Sequence, residues 1–119
     1  IAQIDEIIEL KKSKPTLNWR LRLKEGDSIF NDSNILDSEN ILDTFIESLA
    51  IATKSKKASS IYSTVKKVTE SFNKVNQKHN KFIDTMEREE LVDFIENAIK
   101  LTGFKIDNGV DITENWRLW

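Results

Sequence analysis

A mainly α fold of the α+β type is predicted for this chain: four-helix-type packing, a short C-terminal β-hairpin and one candidate N-terminal strand. Three observations predict it. Apolar residues recur at helical spacing through 41–49, 61–82 and 91–101. One proline and three glycines in 119 residues leave little room for the turns of a sheet-rich fold. Two short stretches, 17–23 and 104–112, alternate apolar with polar instead.

The first helix is read from Ile1, Ile4, Ile7 or Ile8 and Leu10. Lys11, Lys12 and Lys14 suit its C-terminal end, and Pro15 stops it. Leu17-Asn18-Trp19-Arg20-Leu21-Arg22-Leu23 alternates at every step, which predicts a strand with Leu17, Trp19, Leu21 and Leu23 on one buried face. Lys24 to Asn34 is polar, contains Gly26 and reads as a loop.

A second helix is expected from an N-cap at Ser38, or at Asp37, with Ile41, Leu42, Phe45, Ile46 and Leu49 as its stripe. Lys54-Ser55-Lys56-Lys57 reads as a loop. The third helix is expected over Ala58–Lys81. Its residues Ile61, Val65, Val68, Phe72, Val75, His79 and Phe82 alternate steps of four and three, a narrow coiled-coil-like seam. That seam packs either inside the domain or, as a homodimer through residues 61–82, against a second copy. Lys67, Lys74 and Lys81 recur every seven residues and form an exposed stripe beside it.

The fourth helix carries the clearest signals. Asp84 and Glu87 have capping-box spacing. Leu91, Phe94, Ile95, Ala98, Ile99 and Leu101 form one stripe, and Gly103 is the expected left-handed stop, letting Phe104 close back onto Ile99. In the hairpin, a three-residue loop Asp107-Asn108-Gly109 sets Ile106 against Val110, Lys105 against Asp111 and Phe104 against Ile112. Strand 17–23 is expected beside this hairpin. Thr113 reads as the N-cap of a terminal turn carrying Trp116.

The length suits a single domain, residues 1–119, with a core that needs no staples. With no cysteine, disulfides, thiolate metal sites and a cysteine nucleophile are excluded. No apolar run approaches membrane-spanning length, so no membrane partner is expected. A cytoplasmic setting is slightly favoured; because the chain starts at Ile1 rather than Met, export after loss of a leader is the alternative.

The net charge of −2 is unevenly distributed. Residues 1–53 carry −4, residues 54–83 carry +7 and residues 84–119 carry −5. One reading sets a basic central helix against acidic neighbours inside one domain. The other makes Lys66, Lys67, Lys74, Lys78 and Lys81 a strip for nucleic acid. Against that second reading stand the net acidity and the lack of an aromatic interleaved with those lysines on their exposed face.

Catalytic chemistry is poorly supplied. His79 is the single histidine and lies on the apolar seam beside Lys78 and Lys81, which suits a structural role. Glu89, Asp93 and Glu96 share one helix face but lack companion ligands, so no metal and no cofactor are expected. Asp107-Asn108-Gly109 with Asp111 is like part of a calcium loop without its downstream Glu. No two glycines are close enough for a phosphate loop, and the serines at 55, 59, 60 and 63 have no acid–base pair beside them. An enzyme here would need two carboxylates converging in a pocket.

Asp84-Thr85-Met86-Glu87-Arg88-Glu89-Glu90, the helix after it, Gly103, Asn108-Gly109 and Trp116 resemble the C-terminal half of a small, mostly helical bacterial family whose function is not known. The resemblance implies a small helical domain and a bacterial source, and it transfers no catalytic residue. The leading expectation is a non-enzymatic protein-binding module of the inhibitor or immunity type. Its partner-binding residues would be Glu87, Glu90, Asp93 and Glu96 on an outward acidic face, with Trp119 as an aromatic anchor. Nucleic-acid binding and a carboxylate-only enzyme are the alternatives.

Overall fold

The computed structural model describes residues 2–107 and 109–119, with the backbone alone at Ala2. Its elements are α1 (Ala2–Glu9), a 3-10 turn (Leu10–Ser13), α2 (Pro15–Lys24), α3 (Asp32–Ser55), α4 (Ala58–Lys78) and α5 (Thr85–Leu101), followed by an irregular tail. The long α3 and α4 form an antiparallel hairpin. The other helices and the tail pack around it over one core.

No strand occurs among the described residues, so the α+β expectation is corrected to an all-helical fold. The predicted strand 17–23 is the body of α2. Pro15 does end the preceding segment, but it also occupies the first helical turn of α2, where its fixed φ is favourable and its missing N–H costs nothing. Helical spacing then directs Pro15, Thr16 and Trp19 inward, while Leu17 and Leu21 are 44% and 57% exposed. Trp19 is fully buried, stacked on Phe30 at 5.5 Å and edge-on to Phe82 at 6.0 Å. Alternation misled because residues four apart also satisfy a period of two.

The hairpin at 104–112 is also absent from the described residues; Asn108, in its loop, lies outside them. With 17–23 helical there is no third strand, and a lone hairpin is marginal in water. Phe104 instead meets Tyr62 edge-on at 5.1 Å, while Ile106 and Ile112 pack singly on the core. Asp111, expected opposite Lys105, accepts from the N–H and hydroxyl of Thr113 at 2.9 and 2.6 Å and from Arg117 Nη2 at 2.9 Å. Gly103 and Gly109 do take positive φ, +86° and +78°.

Helix α3 begins seven residues earlier than the Ser38 reading. Asn31 caps it: Asn34 N–H donates to Asn31 Oδ1 at 2.7 Å, and Asn31 N–H donates to Asn34 Oδ1 at 3.0 Å. Ser38 lies inside the helix, buried, with its hydroxyl donating to the Asn34 carbonyl at 2.8 Å. Helix α3 ends at Lys56, a non-glycine residue at φ +56°.

Helix α4 ends in a Schellman-type turn, with Asn80 at φ +60° and Lys81 N–H donating to the Asn76 carbonyl at 2.7 Å. The Asn76 side chain, buried, accepts from Ile83 N–H at 2.9 Å and so aims the chain into α5. The Asp84–Glu87 capping box forms as expected.

Of the expected core, Phe45, Leu49, Val65, Val68, Phe72, Phe94, Ile95 and Ile99 are buried, and Ile41 is half-buried. The apolar residues of the 61–82 seam are therefore covered within the chain. The tail completes the cover: Trp119 is 8% exposed and edge-on to Phe72 at 6.2 Å. Asn73 holds it there, its Nδ2 donating to the Trp116 carbonyl at 2.7 Å and its Oδ1 accepting from Leu118 N–H at 2.9 Å.

Candidate interaction surfaces

The acidic residues of α5 do not share an outward face. Steps of three turn a helix through about 300°, so successive members of 87, 90, 93 and 96 drift by about 60° around the axis. Glu87 is buried: its Oε1 accepts from Asp84 N–H at 3.0 Å and its Oε2 lies 3.5 Å from Arg22 Nη1. Glu90 is half-buried and accepts from Trp19 Nε1 at 3.1 Å and from Arg22 Nη2. Asp93 is exposed. Burial pushes the Glu96 carboxyl above its usual range, and the nearby Asp111 and Asp93 add to that. Trp119, expected as an anchor at the surface, is packed into the core, with Arg117 lying 5.5 Å from its ring centre. The residue the sequence left unassigned is Arg22, which together with the buried Trp19 joins α2 to α5 through Glu87 and Glu90. An arginine three residues from a tryptophan on one helix was the available signal.

The basic set is arranged differently. Lys66, Lys67, Lys74, Lys78 and Lys81 are all exposed. Lys78 pairs with Asp37 at 3.0 Å. The other four have no acidic partner within salt-bridge distance among the described residues, and Glu70 is exposed on the same helix. Acids of the neighbouring α3 are engaged with other cations: Asp43 with Lys14 at 2.8 Å, Glu47 with Lys11 at 2.7 Å and Glu39 with Arg20 at 2.8 Å. The basic segment is thus not neutralised by its neighbours.

His79 Nε2 lies 2.8 Å from Asp37 Oδ2, and its ring is edge-on to Phe82 at 6.2 Å, a structural placement at the end of α4. Its hydrogen bond, and that of Lys78, hold the Asp37 carboxyl below the usual range. Among the described residues no three His, Asp or Glu side chains gather closely enough to hold a metal. No described helix is long and apolar enough to cross a membrane.

The concave feature that sequence reasoning missed is a groove of about 230 Å³ between α3 and α4. Ile41, Phe45 and Val68 form its floor; Thr44 and Ser48 stand on the α3 rim and Lys67 on the α4 rim. The spacing of Asn40, Thr44 and Ser48, four apart along one edge of the α3 stripe, was its trace in the sequence.

The chain matches no protein-family model, no curated protein and no solved structure.

Proposed function

We propose that this chain is a non-enzymatic protein-binding module whose contact surface is the outer face of α4 and its border with α3. One observation carries the reading: charge is used unequally. The acids of α3 and two acids of α5 are held by internal cations, while Lys66, Lys67 and Lys74 stay exposed without an acidic partner among the described residues. Unpaired cations of this kind contribute little to folding stability and act on encounter and orientation with a partner of opposite sign. Half-buried Ile41 and exposed Ile51 lie on the adjoining face of α3 and supply the apolar area that a protein contact uses and a phosphate backbone does not.

The test is affinity capture from the native lysate, nuclease-treated, with the wild-type chain and with a Lys66→Glu/Lys67→Glu/Lys74→Glu variant. A stoichiometric protein held by the first and lost by the second supports the reading. Retention of that protein by the variant counts against this surface.

A second reading, nucleic-acid binding through Lys66, Lys67, Lys74, Lys78 and Lys81, is favoured by the exposure of all five side chains. It requires affinity that falls steeply with salt, by about 0.9 log units per log unit of salt for each phosphate contacted on duplex DNA.

A further inference from the structure

We infer that the groove between α3 and α4 seats one amphipathic helix of the partner, its apolar stripe over Ile41 and Ile51, above the buried Phe45 and Val68, and its acidic flank toward Lys67 and Lys74. The inference rests on the protein-binding reading above and specifies the partner's chemistry.

The floor is apolar and the α3 rim is built from the small side chains of Thr44 and Ser48. Small rims let a third helix settle between two others at ordinary interaxial distance, about 8–10 Å. The depression continues along the helix pair past Ile51, Ser55 and Ser59. From Asn40 to Ser55 the α3 side runs about 24 Å, which accommodates about four helical turns.

A helix fits better than an extended peptide. Both walls are α-helices whose backbone groups are bonded internally, and Thr64 on the α4 side donates its hydroxyl to the Ser60 carbonyl at 2.9 Å. An extended segment would find no ladder for its own N–H and C=O groups, whereas a helix satisfies them itself.

Charge fixes the occupant's orientation. The α4 rim presents Lys67, with Lys74 two turns further on, both without an acidic partner among the described residues. The opposite rim is neutral at Asn40, Thr44 and Ser48. An occupant is therefore acidic along one flank and apolar beneath. A second copy of this chain fits poorly. Among the described residues, the helix that exposes an apolar pair four residues apart is α2, with Leu17 and Leu21, and α2 carries Arg20, Arg22 and Lys24 and no acid. Its charge opposes the rim.

The experiment uses two fluorescein-labelled synthetic helical peptides of about 17 residues. They share one leucine stripe and differ in carrying glutamate or lysine along the flank. Anisotropy is measured against the full chain, against Lys67→Glu/Lys74→Glu, and against the groove-filling variants Thr44→Trp and Ser48→Tyr, each checked for folding by circular dichroism. The glutamate peptide should bind about tenfold or more tighter than the lysine peptide. Charge reversal should invert that order, and a folded groove-filling variant should lose both. No binding of either peptide, equal binding of the two, or binding untouched by both filling variants overturns the inference. Self-association of the chain that the filling variants abolish assigns the groove to a second copy and overturns it as well. A captured partner that Thr44→Trp still holds removes the groove from the contact and leaves the protein-binding reading standing; capture of nucleic acid alone from a parallel lysate without nuclease, with no protein held after nuclease treatment, removes that reading itself.

Discussion

The indole N–H of Trp19 donates to Glu90 Oε1 at 3.1 Å, joining α2 to α5 across 71 residues of sequence. Arg22 Nη2 reaches the same oxygen. Glu90→Lys should therefore lower stability by about 3 kcal/mol, because it strands a half-buried cation beside Arg22 and an unpaired indole N–H. Asp93→Lys, on an exposed position, should stay within about 0.5 kcal/mol. Urea unfolding of the two variants separates them; equal effects would show that Glu90 is not held internally.

Asn76 controls how the chain leaves α4. Its carbonyl takes Lys81 N–H and its side chain takes Ile83 N–H. Asn76→Ala leaves a buried donor without a partner and should cost about 1–3 kcal/mol, with the denaturant slope unchanged. A neutral result would mean that the Ile83 N–H finds another acceptor.

Lys56 ends α3 in the left-handed region at φ +56°. A β-carbon there costs about 1 kcal/mol that glycine does not. Lys56→Gly should thus raise the thermal midpoint by a few degrees. No gain would mean that the entropy glycine adds to the unfolded chain cancels the relief.

Acid should destabilise the fold through named carboxyls. Burial alone would push Asp111 up, but hydrogen bonds from Thr113 and Arg117 more than offset it and hold the group low. Asp37 is lowered by His79 and Lys78, and Glu39 by Arg20. A group lowered in the folded state contributes stability above its unfolded pKa and loses it as pH falls through the folded one. Stability should drop below about pH 4.5, and Asp111→Asn should flatten that drop while lowering stability at pH 7. Glu96 runs the other way: raised by burial and by Asp111 and Asp93, it loses stability as pH rises through its titration. Glu96→Gln should be neutral or stabilising at pH 7. Thermal melts across pH 3–8 check both signs, and a destabilised Glu96→Gln protein at pH 7 would contradict the second.

The helices α3, α4 and α5 were legible because their stripes are long and their burial is set by local period: Phe45, Val68, Phe72 and Ile95 sit where the spacing put them. The Asp84–Glu87 box was legible because its chemistry is local. Helix α2 was not, since Leu17 and Leu21 imitate an alternating face and are exposed only because Trp19 pairs with Phe30 and Glu90, far along the chain. The hairpin failed for a related reason. Its register was chemically sensible, but Asp111 had a nearer use in capping the terminal turn with Thr113 and Arg117. The basic set kept its exposure, whereas the acidic set turned partly inward, because Arg22 is a partner that charge counts along α5 do not reveal. The groove needs two helices side by side, and no single stretch of sequence contains it.

Asn73 holds the tail with a primary amide, the same donor and acceptor that a peptide group offers, so Trp116 and Leu118 are paired to α4 as though to a single rung of sheet. One rung closes and opens as a unit. The tail can therefore peel from Phe72 while the α3–α4 hairpin stays folded, a sub-global opening with its own free energy. The Leu118 amide proton should exchange with solvent through that opening and much sooner than amides in the middle of α3, whose release requires unfolding of the whole chain. Exposed by the same event is the Phe72 face of the core, so opening of the tail gives protease or solvent a route to the centre of the molecule that does not require the whole chain to unfold.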